Sequence, residues 1–358
     1  MKYTLVALIL VLFSVIQAHA DILVGVSAPL TGAAASVTEI SMPGLRQAVE
    51  DLNGKGGIKG EKIKLEIMDD ACDPKQAVQV ANKLIGKKVV AVISVSCSGT
   101  VQAAAPVFEE EGMPYLVAIA SAPELTRQGY KTMFRPAARD DQDVAAGAGY
   151  IAAHYAGKSV AVIDDKGTWG KAVSTLAVGD LKAKGFATVD AFSVNAGDQD
   201  FAALISRLKS KNYDVIYPAL YMRESGLLVR QLGEQNYKPV IVGSTLLGMS
   251  DFLTIVGPAK QGIYFTRPKL TEAAAALSAK LKAGDLVGVY NVQTYAAMQI
   301  LAQAAEKAGT APQPLVAALR EGSFDTVFGN TRFNAEGDID AMPFEVWQHT
   351  TTTPVKAP

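Results

Sequence analysis

Histidine is scarce in this chain, with three among 358 residues, and the scarcity removes whole classes of chemistry. His19 lies in an N-terminal leader. His154 falls in a helical stretch and His349 near the C-terminus, neither with a metal-ligand neighbour at helical or loop spacing. There is no G-x-S-x-G elbow, no H-E-x-x-H pair and no phosphate-binding Walker loop. These gaps argue against an enzyme and against a resident metal or cofactor. Charge of one sign is missing too: 34 basic side chains meet 35 acidic ones, for a net charge of −1. With no basic stripe and no polybasic cluster, neither nucleic acid nor an anionic membrane is an expected partner. Beyond Ile16 no apolar run approaches the ~20 residues of a spanning helix, so direct membrane insertion is not expected. Low-complexity tracts and short repeats are also lacking.

What is present begins with the leader. Lys2 supplies a positive start, Leu5–Ile16 is an apolar run too short to span a bilayer, and Ala18-His19-Ala20 has the small-x-small pattern of a cleavage site. The expected mature chain starts near Asp21, without a cysteine there to carry a lipid. Residues 1–20 are thus expected to be a signal peptide, and the expected location is the periplasm. Cys72 and Cys97 are the two cysteines. In an exported protein an even pair reads as one disulfide, as against two buried thiols. Closing a loop of about 25 residues contributes roughly 3 kcal/mol in the chain-entropy account.

The rest of the chain alternates short β-branched runs with longer amphipathic ones. Strands are predicted over Ile22–Val26, Lys62–Met68, Val89–Ser94 and Tyr115–Ile119, with helices over Glu39–Leu52, Pro74–Ile85 and Val101–Glu110. The same grammar restarts with a helix over Val144–Tyr155. Strands Ser159–Ile163, Val215–Pro218 and Val240–Val242 follow, separated by helices Ala172–Lys184, Phe201–Lys209 and Glu224–Glu234. Repeated βα units mean parallel sheets covered on both faces. Two such series, in a chain too long for one ordinary core, predict an α/β protein of two doubly wound parallel-sheet lobes. Phe134–Asp141 and Arg267-Pro268 read as crossings between them, and Tyr295–Lys307 as a helix returning to the first lobe.

The glycines of Gly54–Gly60 follow a helix and precede a strand, the reverse of dinucleotide-binding order. Asp69, Asp70 and Asp73 lack calcium-loop spacing and read as a strand end running into a helix cap. Two loops carry more. Ser96-Cys97-Ser98-Gly99-Thr100 follows one strand and opens a helix, and Ile119-Ala120-Ser121-Ala122-Pro123 follows the next strand. Both belong at carboxyl ends of neighbouring parallel strands, where open α/β sheets bind ligands. Hydroxyls beside free helix N–H groups can hold an anion; the plainer alternative is a pair of N-cap serines.

At these residues the chain resembles the periplasmic leucine/isoleucine/valine-binding proteins, the receptors of branched-chain-type ABC importers. The likeness runs through Gly56-Gly57-Ile58-Lys59-Gly60, Asp69-Asp70-Ala71-Cys72-Asp73-Pro74-Lys75-Gln76-Ala77, Ala122-Pro123-Glu124-Leu125-Thr126, Gly129-Tyr130 and Thr294-Tyr295-Ala296-Ala297, in order. It implies a type I periplasmic binding protein: two lobes, three hinge crossings, ligand in the cleft, and a Cys72–Cys97 disulfide. The implied lobes are 21–138 with 269–342, and 139–268 with 343–358. The implied partners are a small carboxylate ligand and the membrane permease subunits of an ABC importer, with the receptor itself a monomer.

By position, the resemblance places the carboxylate-holding serine on Ser98, next to Cys97, and its hydroxyl companion on Ser121. The carbonyl that receives an ammonium falls on Ile119. Aromatic contacts fall on Trp169 and Tyr221, a side-chain-pocket aromatic near Tyr290 and a first-lobe contact near Val37. The acidic residue that pairs with the ligand ammonium falls on Thr245, which carries no charge. Two ligand readings follow, in order of preference. The first is an aromatic or aliphatic acid lacking an α-ammonium. In the other, a branched-chain or other neutral amino acid is bound and another carboxylate moves in, with Asp165, Glu224 and Asp251 as candidates. An amide or urea ranks third. A hydrolase using Ser98 or Ser121 would need a base that no nearby motif supplies, and a tethered sensory module would need a membrane helix.

Overall fold

A computed structural model describes residues 21–358 apart from 33, 261, 282–287 and 352; the predicted leader lies outside the described residues. The first sheet takes β1 (Ile22–Ala28), β2 (Ile63–Asp69), β3 (Val92–Ser94), β4 (Tyr115–Val117) and β5 (Met133–Phe134), in the order β2-β1-β3-β4-β5, all parallel. Apolar residues run almost without break along β1, β3 and β4 because helices cover both faces. Those helices are α1 (Ala35–Gly54), α2 (Pro74–Gly86) and α3 (Ser98–Glu110). Pro74 opens α2 and Asp73 caps it, accepting the Gln76 N–H at 2.8 Å.

The chain then passes to a second sheet. It meets α4 (Asp140–His154), β6 (Val160–Asp164), α5 (Thr168–Ala183), β7 (Val189–Ser193), α6 (Ala202–Lys211), β8 (Val215–Ala219), α7 (Met222–Glu234) and β9 (Val240–Gly243). A 3₁₀ turn at Thr245–Gly248, α8 (Ser250–Val256) and β10 (Tyr264–Pro268) follow. Next come α9 (Glu272–Lys280), α10 (Val289–Ala308), α11 (Pro312–Glu321) and a hairpin of β11 (Phe324–Thr326) and β12 (Gly329–Thr331). Finally β13 (Phe344–Gln348) and β14 (Val355–Lys356) rejoin the second sheet, whose order is β14-β13-β10-β9-β8-β6-β7. The expectation of purely parallel lobes needs one amendment: β13 runs antiparallel to β10, and β14 antiparallel to β13. The edge strand β7 had no counterpart in the sequence reading.

Between β10 and β13 the chain returns to the first sheet. Helix α10 lies on α1 so closely that a Cβ on Gly44 would fall 1.7 Å from the Asn291 carbonyl oxygen; only glycine permits that approach. Thr294 Oγ1 donates to the Ser41 carbonyl at 2.7 Å across the same contact. Three passages therefore link the sheets: after β5, after β10 and before β13. Two of them are tied together by a buried cluster. Fully buried Arg135 donates Nε to Asp338 Oδ1 at 2.7 Å, Nη1 to the Ala122 carbonyl at 2.6 Å and Nη2 to Thr126 Oγ1 at 2.9 Å. Arg139 Nη1 adds a bond to Asp338 Oδ2 at 3.3 Å.

Candidate functional site

The order of each sheet reverses once, between β1 and β3 in the first and between β6 and β8 in the second. Crevices at such switch points collect ligands. The loops leaving the carboxyl ends of β3, β4, β6, β8 and β9 converge on one cavity of about 690 Å³, counting its open mouth. Val37, Cys97, Ser98, Ile119, Ser121, Trp169, Tyr221, Thr245 and Tyr290, the residues predicted from sequence, all line it.

The first-sheet wall is a prepared anion face. Ser98 is the first residue of α3, so its hydroxyl sits beside the N–H groups of a helix start. The loop before it is braced by Asp70, which accepts from Ser27 Oγ at 2.6 Å and from Ser96 Oγ at 2.7 Å. Cys97 is pinned by its disulfide to Cys72, with Cα atoms 5.5 Å apart. Within this frame the Ser98 hydroxyl is buried and makes no hydrogen bond among the described residues.

An acidic face adjoins the Ser121 loop, and sequence reasoning missed it. Asp140 and Asp143 stand one turn apart at the start of α4 and both line the cavity. The Ser121 carbonyl accepts the Asp140 N–H at 2.9 Å, which sets Asp140 beside the Ser121 loop. Asp140 Oδ1 accepts from Trp169 Nε1 at 3.1 Å, while its Oδ2 is buried with no partner. Asp143 Oδ2 accepts the Thr245 N–H at 3.4 Å and Thr245 Oγ1 at 3.2 Å, and its Oδ1 accepts the Thr266 hydroxyl. Among the described residues neither carboxylate has an ion-pair partner. Burial, then the neighbouring Asp143 charge, pushes Asp140 up to about 7, opposed by the Trp169 N–H, the Ser121 hydroxyl and the Arg135 charge. Burial likewise lifts Asp143 to about 6, opposed by its threonine donors. Arg139 also lines the cavity, but its guanidinium is engaged with Asp141 at 2.9 and 3.2 Å and with Asp338.

The three carboxylates proposed from sequence are elsewhere. Asp165 is buried and accepts the Gly167 N–H at 2.9 Å, Glu224 accepts the Gly197 N–H at 3.0 Å, and Asp251 lies in the first turn of α8. None lines the cavity. Asp140 escaped because it sits in the charged stretch that reads as a crossing, and Asp143 because the helix starts at Asp140, four residues before its predicted start at Val144. The available signal was position: a crossing between lobes runs beside whatever cleft the lobes form.

The remaining lining is apolar and aromatic. Trp169 and Tyr221 pack with ring centroids 4.9 Å apart, and Val37, Leu246, Val289 and Phe344 complete it. Ser96, from the loop the sequence pointed to, also lines it, as do Ser244 and Gln293. Neither described histidine reaches it: His154 packs at a tilt against Tyr150, and His349 is buried with Nε2 2.8 Å from the Leu247 carbonyl. Among the described residues no group of three His, Cys, Asp or Glu could hold a metal ion, and no helix is long and apolar enough to cross a membrane.

Residues 21–345 match the family model described as periplasmic binding protein. The chain is 35% identical to the Leu/Ile/Val-binding protein BraC3 of Rhizobium johnstonii over 92% of each chain. It is 34% identical to the leucine-, isoleucine-, valine-, threonine- and alanine-binding protein of Pseudomonas aeruginosa, covering 91% of this chain and 89% of that one. In fold it is similar to a leucine-binding protein from Thermotoga maritima, with a TM-score of 0.86, 24% identity and coverage of 94% of this chain and 98% of that one.

Proposed function

This chain belongs to the periplasmic binding protein family, and from that premise we propose that it is the receptor of an ABC importer whose ligand is a neutral α-amino acid. One observation carries the choice of ligand. The cavity presents two buried polar atoms without partners, a donor at Ser98 Oγ and an acceptor at Asp140 Oδ2. Such atoms are costly to leave unmade, and a zwitterion offers each its complement. The carboxylate lies against Ser98, Ser121 and the α3 start; the ammonium lies against the Ile119 carbonyl and Asp140. Trp169, Tyr221, Tyr290 and Val37 surround an apolar side chain. The names of the relatives, which bind leucine, isoleucine and valine, point the same way.

A second reading, an aromatic or aliphatic acid without the ammonium, draws on the neutral Thr245. We rank the amino acid first because Asp140 and Asp143, both lining the cavity, have no ion-pair partner among the described residues. Capture follows from differential affinity. Ligand meets the Ser98 wall, the lobes (21–138 with 269–342, and 139–268 with 343–358) close about their three crossings, and the closed state is read by permease subunits. No bond is made or broken, so the protein works as a receptor and not as an enzyme, in the periplasm.

The test is a calorimetric panel of leucine, isoleucine, valine, benzoate, short fatty acids and amides on the native protein and on Ser98→Ala. Loss of a hydrogen bond to a charged group is expected to weaken every carboxylate ligand about ten- to a hundred-fold. Unchanged affinity in Ser98→Ala would remove the anion wall from the account.

A further inference from the structure

Thr245 occupies the position where the resemblance expects an acid, and its N–H and hydroxyl both donate to Asp143. A hydroxyl has one proton and two lone pairs. The Thr245 proton is committed to Asp143 Oδ2 at 3.2 Å, and the Thr245 backbone N–H reinforces the same contact at 3.4 Å. What Thr245 Oγ1 can still offer is therefore acceptor capacity. A hydroxyl that donates to a carboxylate is polarised into a stronger acceptor. Asp143 cannot turn away, because Thr266 of β10 holds its other oxygen. Both Asp143 and Thr245 line the cavity and both are at least nine-tenths buried. Among the described residues no Lys or Arg is recorded bonding to Asp143, whose partners there are Thr245 and Thr266.

We propose that Asp143 and Thr245 form a two-residue relay that supplies the counter-charge for a ligand ammonium, the ammonium N–H donating to Thr245 Oγ1 and that hydroxyl donating to Asp143. This inference rests on the amino-acid reading above and deepens it. Asp143 is a positioning residue: it acts through Thr245, fixing the direction of the hydroxyl and lending it charge. With the relay the start of α4 supplies two ammonium contacts, Asp140 directly and Asp143 through a hydroxyl. It makes the preference for an α-ammonium depend on a residue that sequence position alone would pass over, four residues into the crossing helix.

The readout is a preference ratio, leucine over isocaproate (its deaminated analogue), measured by calorimetry on the full receptor. Asp143→Asn is expected to reduce that ratio about ten- to a hundred-fold by weakening leucine, while isocaproate affinity stays within about two-fold. Thr245→Val is expected to do the same, and the double variant is expected to lose no more than the stronger single, since paired residues are non-additive. In the Asp143→Asn background, Thr245→Glu is expected to restore the ratio. A natively melting Asp143→Asn with an unaltered ratio would overturn the relay; should that variant misfold, an unaltered ratio in Thr245→Val would overturn it equally. If the native protein itself shows no preference for leucine, the amino-acid reading fails first and the relay with it. A native preference that the variants leave intact sinks the relay alone.

Discussion

Asp140→Asn is expected to weaken leucine about 10²–10³-fold and to leave isocaproate nearly untouched. Removing one partner of a buried charged pair costs about 3–5 kcal/mol, and each factor of ten in affinity is about 1.4 kcal/mol. Asn keeps an oxygen for Trp169 Nε1, so the wall should stay in place while its charge goes. The expected pH dependence has a definite sign. Only the ionised carboxylate attracts an ammonium, and Asp140 sits at about 7. Leucine affinity should therefore fall as pH drops from 8 to 5, with Asp143, at about 6, steepening the fall. Much of that slope should vanish in Asp140→Asn. The free protein should show the opposite trend in stability. A carboxyl raised from 3.8 to about 7 holds its proton in the folded state after the unfolded chain has released it. Its contribution is fullest below 3.8 and is lost as pH rises through about 7. Melting temperature measured across this window should decline for the native protein more than for the variant. Equal slopes would show that Asp140 carries no shifted proton.

Arg135→Met is expected to destabilise the fold by about 3 kcal/mol, near the lower end of the range for breaking a buried pair. Arg135 is fully buried, and its loss removes the side-chain donor to Asp338 Oδ1 and to the Ala122 carbonyl. Arg139 and Thr126 remain on Asp338 and moderate the loss. Replacing both partners, as Arg135→Met with Asp338→Leu, should recover part of it, because an apolar pair of matching volume carries no stranded charge. Urea denaturation measures the difference. A change below about 1 kcal/mol, the scale of a surface pair, would mean that the cluster does not brace the crossings. The neighbouring Gly337 makes the geometry exacting: its φ is +93°, and a Cβ there would lie 2.3 Å from the Met133 carbonyl oxygen.

How much of this was readable beforehand follows from which physics each feature obeys. The central strands of both sheets are near-continuous apolar runs, so β1, β6 and β8 announce themselves. β7 did not, because Val189-Asp190-Ala191-Phe192-Ser193 is an edge strand with its polar side chains facing out. The C-terminal strands β13 and β14 were missed since their pairing is antiparallel and remote from the βα pattern. Helix starts came out late: α1 begins at Ala35 and α10 at Val289, and those extra turns are what bring Val37 and Tyr290 to the cavity. The serine wall was legible because a strand, a short hydroxyl-bearing loop and a helix form a local motif. The acidic wall was not, because Asp143 meets Thr245 and Thr266 across more than a hundred residues of chain. No local pattern encodes that juxtaposition.

The central claim is a direction: carboxylate toward the first sheet, ammonium toward the start of α4. A crystal structure of the receptor grown with leucine tests it most directly. The account predicts a carboxylate oxygen about 2.5–3.0 Å from Ser98 Oγ and the ammonium nitrogen within about 3.2 Å of Asp140 Oδ2. Leucine bound the other way round, or bound outside this cavity, would contradict it.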